Sequence, residues 1–131
     1  MSNLTEKFTG KPILKAKPVS ATEMKSFEQE LGLVFPKPYA EFLAQYGCVS
    51  MGSKEIYGIC GDNSSVPSAI HATTTAREDG KFPTNLIVIA DNGAGRKFCL
   101  DPEGMVHFHD FGRLTPLNKD FETFVIEWFN L

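Results

Sequence analysis

His107-x-His109-Asp110 is the grouping in this chain that most resembles a metal site, because alternate residues of a strand place both imidazoles on one face. A zinc site takes three or four ligands with supporting hydrogen bonds. The only other histidine, His71, falls on a predicted helix with no diagnostic spacing to the pair. A solvated strand face therefore outweighs a metal, and neither a metal nor another cofactor is expected. Read as catalysis, His107, His109 and Asp110 would describe a small metal-dependent hydrolase, the least favoured alternative. Asp91-Asn92-Gly93-Ala94-Gly95-Arg96 could cradle an anion on its backbone amides, with Arg96 as a bidentate partner. It lacks the third glycine of a dinucleotide fingerprint and precedes a strand where such a motif requires a helix, so a hairpin turn closed by Asp91 is the better reading. Cys48, Cys60 and Cys99 form no CxxC pair and have no activating histidine or basic neighbour in sequence, which makes them reduced, buried hydrophobes. No nucleophile elbow, zinc-protease helix or calcium loop occurs, and a non-enzymatic protein is expected.

These groups must be positioned by elements of recognisable type. Ser20-x-x-Glu23 is a capping box, Val19 and Met24 sit at hydrophobic-staple positions, and Gly32 suits a left-handed end, which predicts a helix over 21–31. Pro38 fits the first turn of a second helix, whose Tyr39, Phe42, Leu43 and Tyr46 form one stripe before Gly47. A short strand over 55–59, a polar loop over 61–67 and a helix over 68–78 follow, the last despite Thr73-Thr74-Thr75. Leu86–Ala90, Lys97–Leu100 and Met105–Asp110, separated by turn residues, read as an antiparallel meander. Phe121, Phe124, Val125 and Trp128 predict a closing helix capped by Asn118 or Asp120. The fold class is α+β: two N-terminal helices, a central, mainly antiparallel sheet and a C-terminal helix. Phe27, Leu31, Phe42, Leu43, Ile87, Ile89, Phe124 and Trp128 are the expected core.

With 131 residues the chain is of single-domain size, and its longest apolar run, Leu86–Ala90, is far short of the roughly 20 residues that cross a bilayer. Met1 to Gly10 lack the apolar stretch of a signal peptide, so a cytoplasmic location is expected. Residues 1–18 carry four lysines against Glu6, +3 of a total of −3, and with Pro12 and Pro18 they read as a loosely ordered basic arm before a domain over 19–131. The remainder carries −6, which repels phosphate and disfavours direct nucleic-acid binding.

One segment has a recognisable pattern: Phe27-Glu28-x-Glu30-Leu31-Gly32-Leu33-x-Phe35-Pro36-x-x-Tyr39-x-x-Phe42-Leu43-x-x-Tyr46-Gly47. It resembles the SUKH superfamily, which includes fungal cell-wall synthesis regulators and many bacterial immunity proteins. Ile89-Ala90-Asp91-Asn92-Gly93-Ala94-Gly95 leading into Phe98-Cys99-Leu100-Asp101, and Phe121-Glu122-x-Phe124, resemble its glycine-bearing hairpin and closing helix. Cys48-Val49 departs from it, since many relatives carry a second glycine after the Tyr-Gly pair. The resemblance implies an antitoxin that neutralises a cognate polymorphic or contact-dependent toxin, commonly a nuclease or deaminase, by stoichiometric binding. The alternative is a regulatory scaffold like the fungal members. The acidic charge would favour a basic toxin domain, and the expected contacts are the turn acids Asp62, Asp91, Asp101 and Glu103 with Tyr57 and Arg96, residue types that anchor interfaces.

Overall fold

The computed structural model describes residues 4–59, 68–78, 80–92 and 95–131. Within them the order is α1 (Leu4–Phe8), β1 (Leu14–Lys15), α2 (Ala21–Leu31), α3 (Lys37–Tyr46), β2 (Val49–Met51), β3 (Lys54–Ile56), α4 (Ala69–Arg77), β4 (Ile87–Asp91), β5 (Lys97–Leu100), β6 (Met105–Asp110), β7 (Arg113–Asp120) and α5 (Phe121–Trp128). The class is α+β. The strands form two antiparallel sheets, β1-β2-β3 and β4-β5-β6-β7; the expected meander is β4-β5-β6, which β7 extends, and the small sheet is additional to it.

Local chemistry sets the helix ends. Ser20 Oγ accepts from the Glu23 amide, and Glu23 Oε1 accepts from the Ser20 amide, both at 3.1 Å, so α2 begins on a complete capping box. Gly32 ends it at φ 72°. Of the two candidate caps for α5, Asp120 fills the role, accepting from the Thr123 amide at 2.8 Å; Asn118 lies in β7 at φ 59°. The threonines of α4 are explained by packing. Thr73 is fully buried and its hydroxyl accepts from the Val88 amide at 2.9 Å, beside the register shift of β4, so a residue with poor helix propensity ties the helix to the sheet.

Aromatic rings build the centre. Tyr39 lies 5.3 Å from Phe121 and 5.6 Å from Phe35, and Phe42 lies 5.3 Å from Phe121, which locks α3 against α5. Leu31, Phe42, Leu43, Ile87, Ile89 and Phe124 are buried as expected, whereas Phe27 and Trp128 are only half-buried and border the core.

A loose arm over 1–18 is not what the described part of this segment shows. Leu4 and Phe8, one helical turn apart, are buried, and Phe8 packs edge-on against Tyr46 at 5.3 Å and against Phe129 at 6.1 Å. Leu14 and Lys15 then pair with Ser50 and Val49 as the edge of the small sheet. Two well-spaced apolar side chains and a short strand pairing thus tie down a segment whose composition looks unstructured.

Two glycines allow the chain to cross itself beside β3. A Cβ on Gly58 would stand 1.7 Å from the Gly47 carbonyl oxygen, and Gly47 itself adopts φ 74°. The Ile59 amide donates to that oxygen at 2.9 Å, so the end of α3 and the chain leaving β3 are bonded backbone to backbone.

Candidate partner-binding site

Tyr57 and Asp91 are far apart in sequence and meet because the chain leaving β3 bonds to β4 of the other sheet. The Tyr57 amide donates to the Ile89 carbonyl at 2.7 Å, and the Tyr39 hydroxyl donates from the core to the Tyr57 carbonyl at 2.9 Å. Two hollows open on either side of the pair. One, of about 240 Å³, is lined by Tyr57, His71, Thr75, Val88, Asp91 and Lys97; the other, of about 560 Å³, by Lys54, Glu55, Tyr57, Asp91, Asn92 and Trp128. Phenol, imidazole, ammonium and carboxylate groups thus converge on one recess, a donor and acceptor set suited to a polar partner surface. Burial first, then the negative charges of Asp91 and Glu55, push the Tyr57 phenol up to about 12, so it remains a neutral hydroxyl at physiological pH.

Arg96 lies one residue before β5 and reaches the end of β6, where its Nε donates to Asp110 Oδ1 at 3.1 Å. Its guanidinium also lies over the Phe111 ring, 5.8 Å from the centroid. Since Asp91 pairs with Lys97 and Asp110 with Arg113 in the ladder, Tyr57, Asp91 and Arg96 belong to one end of the large sheet.

Asp101 and Glu103 belong to the opposite end, in the turn between β5 and β6. Asp101 Oδ1 accepts from the Glu103 and Met105 amides at 2.9 and 3.0 Å, and its Oδ2 shares a 2.8 Å hydrogen bond with His107 Nε2. Partial burial alone would raise this carboxyl, but the bonds from His107, Met105 and Glu103 outweigh it and hold the group below the usual carboxylate range. The six expected contact residues therefore do not form one acidic surface: Tyr57, Asp91 and Arg96 lie at one end, Asp101 and Glu103 at the other, and Asp62 lies outside the described residues.

His107 and His109 share a face of β6, as alternation requires, but that face is not solvated. His107 is bound to Asp101 with 19% of its side chain exposed, and His109 is buried with its ring 5.0 Å from that of Phe82. The segment joining α4 to β4 brings Phe82 over this face, a long-range contact that strand periodicity does not reveal. Among the described residues no group of three His, Cys, Asp or Glu is placed to hold a metal ion. Cys48 and Cys99 are buried; burial pushes the Cys99 thiol up to about 12 against the lowering pull of Lys97, leaving it unsuited to nucleophilic attack at neutral pH. Cys60 lies outside the described residues. No helix among them is long and apolar enough to cross a membrane.

His71, Lys97, Glu55 and Trp128 line the hollows and carry no local signal for it, because each arrives from a different element. Phe111 did carry one: Phe111-Gly112 follows an alternating strand at a position where two-residue hairpin turns take Asn or Asp before Gly.

A family model described as SUKH_5, SMI1-KNR4 cell-wall, matches residues 1–130. The SPbeta prophage-derived uncharacterized protein YokK of Bacillus subtilis (strain 168) is 25% identical, over 76% of this chain and 65% of that protein's own length. The chain thus spans just under two thirds of that relative. The crystal structure of a protein from Pseudomonas syringae pv. tomato shares the fold, with a TM-score of 0.71 at 20% identity over 90% of this chain and 88% of that one.

Proposed function

Because this chain belongs to the SUKH family of SMI1-KNR4 cell-wall type, we propose that it is a bacterial immunity protein that neutralises a cognate toxin domain by stoichiometric binding. The toxin is a polymorphic or contact-dependent one, of nuclease or deaminase class, and the chain acts as a binder without turnover. The observation that carries the reading onto this molecule is the recess at Tyr57 and Asp91, where two hollows meet and groups of both charges converge. An interface of ordinary size, roughly 800 Å² on each partner, would cover both hollows and the sheet end beside them.

The test is co-expression with the toxin domain encoded in the neighbouring reading frame. Restored growth and a 1:1 complex by size-exclusion chromatography with light scattering are expected. A chain that neither rescues growth nor binds would overturn the reading. Retention by several host proteins with no toxin complex would favour the regulatory-scaffold alternative.

A further inference from the structure

The hairpin joining β6 to β7 breaks a rule of turn chemistry in a specific way. Asp110 pairs with Arg113, so the loop is the two residues Phe111 and Gly112, both left-handed at φ 48° and φ 89°. Turns of this kind select Asn-Gly or Asp-Gly, since a bulky residue at positive φ is strained. The strain is not offset by burial: Phe111 is 79% exposed. What holds the ring is Arg96, whose guanidinium lies over it at 5.8 Å and is itself fixed by Asp110 at 3.1 Å. An aromatic in a costly backbone conformation, displayed to solvent and steadied by an arginine, has the composition of an interface anchor.

Neighbouring features narrow the partner. Leu114, next but one after the turn, is another exposed hydrophobe. Pro116 in the middle of edge strand β7 removes a ladder donor, which blunts that edge against an added strand and leaves the convex tip as the presenting feature. At this end of the sheet Lys54, Arg96, Lys97 and Arg113 exceed Glu55, Asp91 and Asp110 by one, so it is slightly positive in a chain of net charge −3. A convex, cationic, aromatic tip is complementary to a concave apolar pocket with carboxylates at its rim. A second copy would oppose like charge to like, and a single exposed ring with few cations is a poor platform for a nucleic-acid strand.

We infer that the Phe111 tip, with Arg96, is the anchor by which this chain docks into a carboxylate-rimmed apolar pocket on its protein partner. The inference rests on the immunity reading and adds, at the same end of the sheet as the recess, the side chains that anchor the contact. Phe111→Asn tests it, because Asn-Gly is the preferred sequence for this turn and the variant folds without strain. Its Tm is expected to rise by about 2 to 4 °C, while affinity for the neighbouring-frame toxin domain, by isothermal titration calorimetry, falls by about 30-fold or more. Arg96→Gln is expected to weaken binding less, with Tm nearly unchanged. A lower Tm in Phe111→Asn would make the ring a fold element and overturn the inference without reference to any toxin. Equal binding by wild type and Phe111→Asn would overturn it while leaving the immunity reading intact. No binding by the wild type would fail that reading and this surface with it. A wild-type dimer in sedimentation, or single-stranded RNA binding, that Phe111→Asn abolishes would overturn it in favour of that occupant.

Discussion

The two ends of the four-stranded sheet use similar residues in opposite ways. At the β5–β6 turn Asp101 is fully engaged: two backbone amides and His107 donate to it, and it is the hub that shapes the turn. At the other end Asp110 accepts from Arg96, both side chains are more than a third exposed, and the pair steadies an exposed ring rather than a turn. Both are acidic residues at strand ends next to glycine-bearing turns, yet in sequence only Asp101 reads as a surface contact, Asp110 grouping instead with His107 and His109. Their difference shows that a turn carboxylate close to several backbone donors is consumed by the fold, whereas one facing a long cation remains part of the surface.

The largest expected effect breaks this comparison if it fails. Asp101→Ala leaves two turn amides and the His107 ring without their acceptor and should cost about 2 to 4 kcal/mol in urea denaturation. Asp110→Ala removes one exposed ion pair and should cost no more than about 1 kcal/mol. Equal losses would mean that the two ends do not differ in the way their hydrogen bonds indicate.

Acid titration sharpens the same point. The Asp101 carboxyl is held below its ordinary value, so its contribution is fully present above the unfolded pKa of about 4 and is lost as pH falls through the folded value. Denaturation midpoints should therefore drop below about pH 4 in the wild type, and Asp101→Asn should flatten that part of the pH dependence. The recess at the opposite end is tested by alkali. Tyr57 is raised from its ordinary 10 to about 12, so its contribution is present below pH 10 and is lost as pH rises from there toward 12. Absorbance at 295 nm should show tyrosine ionisation continuing well above pH 10, and Asp91→Asn should bring the Tyr57 step only part of the way down, because burial is the larger cause.

How much of this was legible in sequence follows the range of each interaction. The capping box of α2, the stripe of α3 and the Asp120 cap of α5 are decided within a few residues, and so were readable. Strand β7 was not, because Pro116 within Arg113–Asp120 argues against a strand unless the edge is known to be open. Strands β1 and β2 are two and three residues long, too short for periodicity to register. The Tyr57–Asp91 recess depends on the bond from Tyr57 to Ile89, and the helix of the N-terminal segment on rings contributed by Tyr46 and Phe129, so neither has a local signature.

The smallest expected effect concerns Glu103, in the same turn as Asp101. Only its amide is used, donating to Asp101, and its side chain is exposed. Glu103→Gln keeps that amide and should change stability by less than about 0.5 kcal/mol, within the range of ordinary surface substitutions. If this end of the sheet is structural and the Phe111 end is the docking surface, the substitution should also leave the association rate with the toxin domain nearly unchanged at moderate salt, where exposed charges more than about 10 Å from the contact are screened. Asp91→Asn, beside the recess, should change that rate. Stopped-flow association of the two variants gives the comparison directly: a larger change in rate for Glu103→Gln than for Asp91→Asn, in either direction, would move the contact to the β5–β6 turn and reverse the roles of the two ends.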